Sequence, residues 1–230
     1  MVAILHRPNI TFAQIKHFVY ELLPFLICIA LIIVIWKEHY TFFLRYGLRD
    51  GKMIVLNTLF LIIVLFYVYP LKFLTRLILI PIAYLTNNQT MFDTFAGMIA
   101  GEDVGDLMII YGSGAASVFF VMMLMYRYAL KNAEALALNE LEIFDTKVSI
   151  RANFLLAIVP VFSILAAILF YGSWYAGMIS GFVYFLYTPI MMFHGKKVDR
   201  QRNKLIASSH QEIAPPPETS ESGPGSPTAA

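Results

Sequence analysis

Long apolar runs alternate with short polar ones along this chain. From Met53 to Leu71 no residue is charged, over about 19 residues, long enough to cross the roughly 30 Å hydrocarbon core of a bilayer as a helix. An earlier run covers about Phe18 to Trp36, with Glu21 near one end and Pro24 in its first turns. A third covers Leu107 to about Tyr126. Between Ala152 and Gly195 no residue carries a full charge. About 44 residues is too long for one spanning helix and right for two. The break falls at Tyr171-Gly172-Ser173-Trp174-Tyr175, a turn with aromatics of the kind that sit at membrane interfaces. The pattern predicts an all-α polytopic membrane helix bundle with spans at about 18–36, 53–71, 107–126, 152–171 and 175–193.

The intervening stretches are short. Pro8-Asn9 followed by Thr11 reads as a turn and a helix start, with Thr11 as N-cap. No apolar stretch with a small-residue cleavage site follows the early positive residues, so no secretory signal is read there. Residues 72–84 stay apolar but contain Lys72, Arg76 and Pro81, and read as a helical extension or an interfacial segment. Residues 85–105 read as an exposed loop, and 127–151 as a loop that is partly helical. Asn88-Gln89-Thr90 matches a glycosylation sequon, which matters only in a eukaryotic secretory pathway. The helix bundle is expected over 1–195. Residues 196–230 form a basic segment and then a tail rich in Pro, Ser, Gly and Glu, expected to be disordered.

Composition agrees with a lipid environment. Of 230 residues, 59% are apolar and 14% charged, where a soluble domain has nearer 45–50% and 25%; the mean hydropathy is +0.68. A net charge of +2 gives no argument for nucleic acid. Placement of the charges says more. With five spans, thirteen of the 17 Lys and Arg residues fall on the side that carries the C-terminus, which the positive-inside rule makes cytoplasmic. The membrane would be the plasma (inner) membrane in a prokaryote. The N-terminus then lies outside, with nothing in the sequence to carry it there, so a further helix is expected to precede Met1. The single cysteine, Cys28, lies in an apolar run and reads as packing.

Three side chains stand out at the basic end. Trp36 and His39 are three apart and share a helix face, although a Trp at that depth is also an ordinary interfacial residue. Asn57 lies at membrane depth, where an amide facing lipid would cost several kcal/mol per unsatisfied group. It should face the bundle and hydrogen-bond to another helix. Helix geometry brings all three to similar depth, which predicts a polar cluster of Trp36, His39 and Asn57, as packing glue or as something more. Small residues cluster at Gly112 to Ser117, with Gly112 and Ala116 four apart, and Gly177 and Gly181 form a GxxxG. Both permit close helix contact, within the chain or between subunits. Pro160 and Pro189 suggest kinks.

At Trp36-x-x-His39, the basic loop with Arg45, Arg49 and Lys52, Asn57 and Tyr69-Pro70-Leu71-Lys72-Phe73, the chain resembles the transmembrane-protein-175 potassium channels. The resemblance follows the order of spans from about residue 12 to 194 and is strongest over 36–73. It implies a six-helix unit, a homotetramer for prokaryotic units, and passive K⁺ flow. The family's hallmark is an Arg-x-x-x-Phe-Ser-Asp sequence on a first, pore-lining helix. This sequence has no such motif, and its first span matches the family's second helix. Trp36, His39 and Asn57 then correspond to residues that brace the motif from neighbouring helices.

No zinc-protease, phosphate-loop or nucleophile-elbow motif is present, and no histidine pair lies at mid-membrane for a haem. Apart from Glu21, acidic residues stay outside the spans, which argues against a proton-coupled pump or transporter; a leak-type channel needs none. The expected function is a potassium-channel subunit without cofactor, its partners membrane lipid and copies of itself. A non-conducting scaffold on the same helices, or an intramembrane enzyme or transporter, are the alternatives.

Overall fold

The computed structural model describes residues 12–96, 104–173 and 175–213. Thr11, Trp174 and the tail beyond Ile213 lie outside the described residues, as do the side chains of Glu21 and of residues 69–78. Among the described residues seven α-helices follow one another: α1 (Phe12–Tyr46), α2 (Gly51–Leu85), α3 (Gln89–Ala96), α4 (Val104–Lys131), α5 (Glu140–Leu169), α6 (Ala176–Val183) and α7 (Tyr187–Ile213). A 3₁₀ turn (Tyr184–Leu186) joins the last two. Among the described residues five segments are long and apolar enough to cross a membrane: Phe18–Tyr46, Gly51–Val68, Val104–Lys131, Glu140–Leu169 and Ala176–Ile206.

The helices outrun the charge-free stretches at most ends. Lys, Glu and Arg are good helix formers, so the backbone continues as helix after the side chains turn polar. Residues 72–84 are the helical extension of α2. The loop around Arg49 shrinks to residues 47–50, with Arg45 in the last turn of α1 and Lys52 in the first of α2. Part of the stretch read as an exposed loop is the short helix α3. Asn88 caps it, its Oδ1 accepting the Met91 N–H at 3.2 Å while its Nδ2 donates to the Tyr20 hydroxyl at 3.1 Å. Asn139 and Glu142 form a reciprocal capping box that starts α5, an Asn-x-x-Glu signature visible in the sequence. The basic stretch from Lys196 continues α7 without a break at residue 195.

Helix α4 is the axis of the bundle. It is 44% buried over its apolar window, against 12% for α1 and 11% for α2. Its most extensive partner is α5, then α2. The main core lies at the basic end, where Phe42 and Tyr46 of α1 and Met53 and Phe60 of α2 meet Val118, Val121, Met122, Met125, Tyr126 and Ala129 of α4. A second cluster, Met108, Tyr111 and Ala167, holds α4 to α5 at the other end.

The prolines act on neighbouring carbonyls. Pro160 has no N–H, so the Leu156 carbonyl one turn earlier has no helical donor. The Tyr187 hydroxyl donates to it at 3.0 Å, tying α7 to α5. Pro189 lies in the first turn of α7, where proline is tolerated. The irregularity expected around it sits just upstream, in the 3₁₀ turn, because its ring clashes with the preceding turn. There the Tyr184 N–H shifts to the Gly181 and Phe182 carbonyls, and the Ser180 carbonyl instead accepts the Ser163 hydroxyl at 3.0 Å.

Candidate functional site

At the basic end the α1–α2 turn brings His39 and Asn57 together. The carboxamide oxygen of Asn57 lies 2.6 Å from His39 Nε2; an amide oxygen can only accept, so that nitrogen carries the proton. His39 is held on two further sides. Its ring stacks on Phe60 at 4.8 Å and 2°, and meets Phe43 edge-on at 5.0 Å. Phe60 is a core residue, so the imidazole is fixed between the α1–α2 seam and the centre of the bundle.

Trp36 is placed apart from this pair. Three residues along a helix leave two side chains about 60° apart on its circumference, and α2 covers only the His39 side. Trp36 is 60% exposed and stacks on Tyr40 at 5.3 Å. The cluster is therefore His39, Asn57, Phe43 and Phe60, without Trp36.

Around the pair, polar contacts fasten five helices, α1, α2, α4, α5 and α7. Tyr46 and Thr146 share a buried hydroxyl–hydroxyl bond of 2.8 Å between α1 and α5, and Thr146 also donates to the Glu142 carbonyl at 2.6 Å. Asp145 of α5 receives Arg45 of α1 at 3.6 Å and Arg202 of α7 at 3.4 Å. Both arginines are well exposed, so these pairs orient the helix ends more than they stabilise them. Asp50 caps α2, accepting the Lys52 N–H at 3.3 Å, and also accepts the Tyr128 phenol at 2.5 Å. The Asp-Gly step before an apolar run signals that cap; its tyrosine partner, 78 positions away, carries no sequence signal.

The Tyr128 hydrogen bond is the main influence holding the Asp50 carboxyl below its ordinary value of 3.8. A depressed carboxylate contributes stability that is present above the unfolded value and lost as pH falls through the folded one. Melting in micelles is therefore expected to lose an increment below about pH 4 that Tyr128→Phe lacks. Parallel melting curves for the two proteins down to pH 3 would refute this.

The small residues divide. A Cβ on Gly112 would sit 2.6 Å from Ile164 Cγ1 and 3.1 Å from the Pro160 carbonyl oxygen, so this glycine serves α4–α5 contact within the chain. Gly177 lies against Val104, and Gly114 against the Tyr67 ring. Gly181 has open space around it, and Ala116 is half-buried. Among the described residues no group of three His, Cys, Asp or Glu could hold a metal ion.

These features define a multi-pass membrane helix bundle with a polar pair locked at the basic end of its first hairpin. No protein-family model matches the chain. A protein of Marivirga tractuosa described as a potassium channel is 42% identical over 198 residues, covering 85% of this chain and 80% of that protein. The crystal structure of a variant of the potassium channel MtTMEM175, in complex with a nanobody–MBP fusion protein, superposes with a TM-score of 0.71 at 43% identity, over 83% of this chain and 82% of that one. The chain belongs to this potassium-channel family.

Proposed function

We propose that the chain is a subunit of a passive K⁺ channel, assembled as a homotetramer in the plasma membrane with its C-terminus in the cytoplasm. The observation that carries this is identity above 40% to potassium channels across more than four-fifths of the chain. Orientation is supported by contacts that gather Arg45, Arg127, Lys131, Lys147, Arg151 and Arg202 at one end of the bundle. Opposite them lie the Tyr20–Asn88 and Tyr171–Asp106 pairs. In this reading a helix preceding Met1 lines the pore, and His39 and Asn57 brace it from behind. No covalent chemistry is involved, and K⁺ is the transported ion.

The test is flux from K⁺-loaded proteoliposomes, with Na⁺ as the comparison ion. It is run on the 230 residues and on the natural reading frame extended upstream. Flux from the extended form and silence from the shorter one is the expected pair of results. Silence from both supports a scaffold, and full flux from the shorter one refutes the missing lining.

Asn57→Leu tests the polar pair. Interhelical hydrogen bonds in membranes average about 0.6 kcal/mol, less than threefold in an equilibrium, so the protein should insert normally. Looser α1–α2 pairing and altered flux are expected. Unchanged assembly together with unchanged flux would remove His39 and Asn57 from the mechanism.

A further inference from the structure

A second site lies between the basic ends of α4 and α5. Arg127, Leu130 and Lys131 on α4, and Lys147, Ile150 and Arg151 on α5, line a shallow, open groove of about 390 Å³. Each helix contributes residues i, i+3 and i+4, which share a face, and each triplet has cations flanking an aliphatic side chain. The two triplets face each other, so four positive charges converge over a floor of Leu130 and Ile150. No carboxylate lines the cleft. Among the described residues none of the four cations has an ion pair. All four are exposed, and four cations on one face with no carboxylate among them make a surface that attracts anions.

The surroundings choose the kind of anion. The uncharged run of α4 ends at Tyr126 and that of α5 begins at Ala152, so the cations stand at headgroup level. The Gly112 contact with Pro160 and Ile164 sets the antiparallel register, which puts Phe120 level with Phe154. These two side chains are 50% and 51% exposed. Phe120 is seven residues, two turns, from Arg127, and Phe154 is three from Arg151, so each extends the face of its basic triplet into the hydrocarbon. A free phosphate would use only the upper part of this surface. An amphiphile with a phosphate head and acyl chains would use all of it.

We infer that the α4–α5 cleft is a binding site for an anionic phospholipid, its phosphate held by Arg127, Lys131, Lys147 and Arg151 and its chains lying along Phe120 and Phe154. Basic pockets between membrane helices on the cytoplasmic side bind such headgroups by charge. The inference rests on membrane embedding and not on conduction, so a lipid readout separates it from the channel reading.

The experiment is native mass spectrometry of the full chain in nanodiscs of phosphatidylcholine mixed with phosphatidylglycerol. Retention of phosphatidylglycerol over phosphatidylcholine by at least about tenfold is expected, falling roughly fivefold per charge removed. In the quadruple variant Arg127→Gln, Lys131→Gln, Lys147→Gln and Arg151→Gln the preference should vanish. It should persist in Lys196→Gln/Lys197→Gln, basic residues of α7 outside the cleft. Arg127→Lys/Arg151→Lys keeps the charge and should keep the preference, and where the quadruple variant does not fold, Arg127→Gln/Lys131→Gln alone should remove most of it. Equal retention of both lipids by the unmodified protein would overturn the proposal. So would a preference that survives the quadruple variant, or displacement of the lipid by millimolar inorganic phosphate, which would mark a soluble-anion site.

Discussion

Gly112→Leu is expected to part α4 from α5 and to give a large loss of stability. The added Cβ alone would stand 2.6 Å from Ile164 Cγ1 and 3.1 Å from the backbone oxygen of Pro160. Ile164 could turn aside, but the carbonyl belongs to a helix and cannot. The helices must therefore separate along their most extensive contact. Overpacking a tight site costs typically 1–3 kcal/mol, and a rigid backbone neighbour places this case at about 3 kcal/mol or above. Gly114→Leu also collides, with the Tyr67 ring, which packs against the main core and can yield only by disturbing it, so it should be destabilising too, though its neighbour is a side chain and not backbone. Gly181→Ala should be neutral or gain up to about 1 kcal/mol from helix propensity. Detergent-unfolding midpoints would rank the three; Gly112→Leu melting with Gly181→Ala would show that the α4–α5 contact is not close in the native bundle.

Phe42→Ala is expected to cost about 3 kcal/mol and to release the basic end of α1. Phe42 is fully buried, with the rings of Phe43, Tyr46 and Tyr126 at 5.3, 5.0 and 5.1 Å. Lipid accommodates a phenyl ring nearly as well as a protein core does, so little of the cost is transfer from water. It comes from lost ring contacts and the void they leave, which puts it at the lower end of the 3–5 kcal/mol range for such truncations. Contacts between α1 and α4 are few, and Phe42–Tyr126 is central among them. Leu44, 73% exposed, is the matched control, and its change to Ala should stay within about 0.5 kcal/mol. Unfolding midpoints and α1–α4 cross-linking yield provide the measurement. A Phe42→Ala protein that cross-links and melts normally would mean that α1 is held by something other than this aromatic group.

Much of this architecture is legible without coordinates, and the reasons are physical. Charge-free runs mark the five spans because a bilayer tolerates little else there. Asn57 declares an inward-facing partner for the same reason, and a tight hairpin leaves His39 at the matching depth. What stays hidden depends on distant elements. Spacing puts Trp36 and His39 on neighbouring faces, but only the placement of α2 decides that His39 is covered and Trp36 is not. Gly177 and Gly181 look alike in sequence; the position of Val104 alone separates a packed glycine from an open one. The bonds Tyr128–Asp50 and Tyr187–Leu156 join residues 78 and 31 positions apart, beyond any local pattern.

Helix α7 crosses from apolar to basic chain with no hinge over 27 residues, which at 1.5 Å per residue makes a rod about 40 Å long. A rod transmits tilt as displacement: leaning by about 10° at its Tyr187 end would carry the far tip sideways by about 7 Å. Whatever grips the charged half, with Arg202 at Asp145 as its nearest fulcrum, thus holds a lever on the lipid-embedded half.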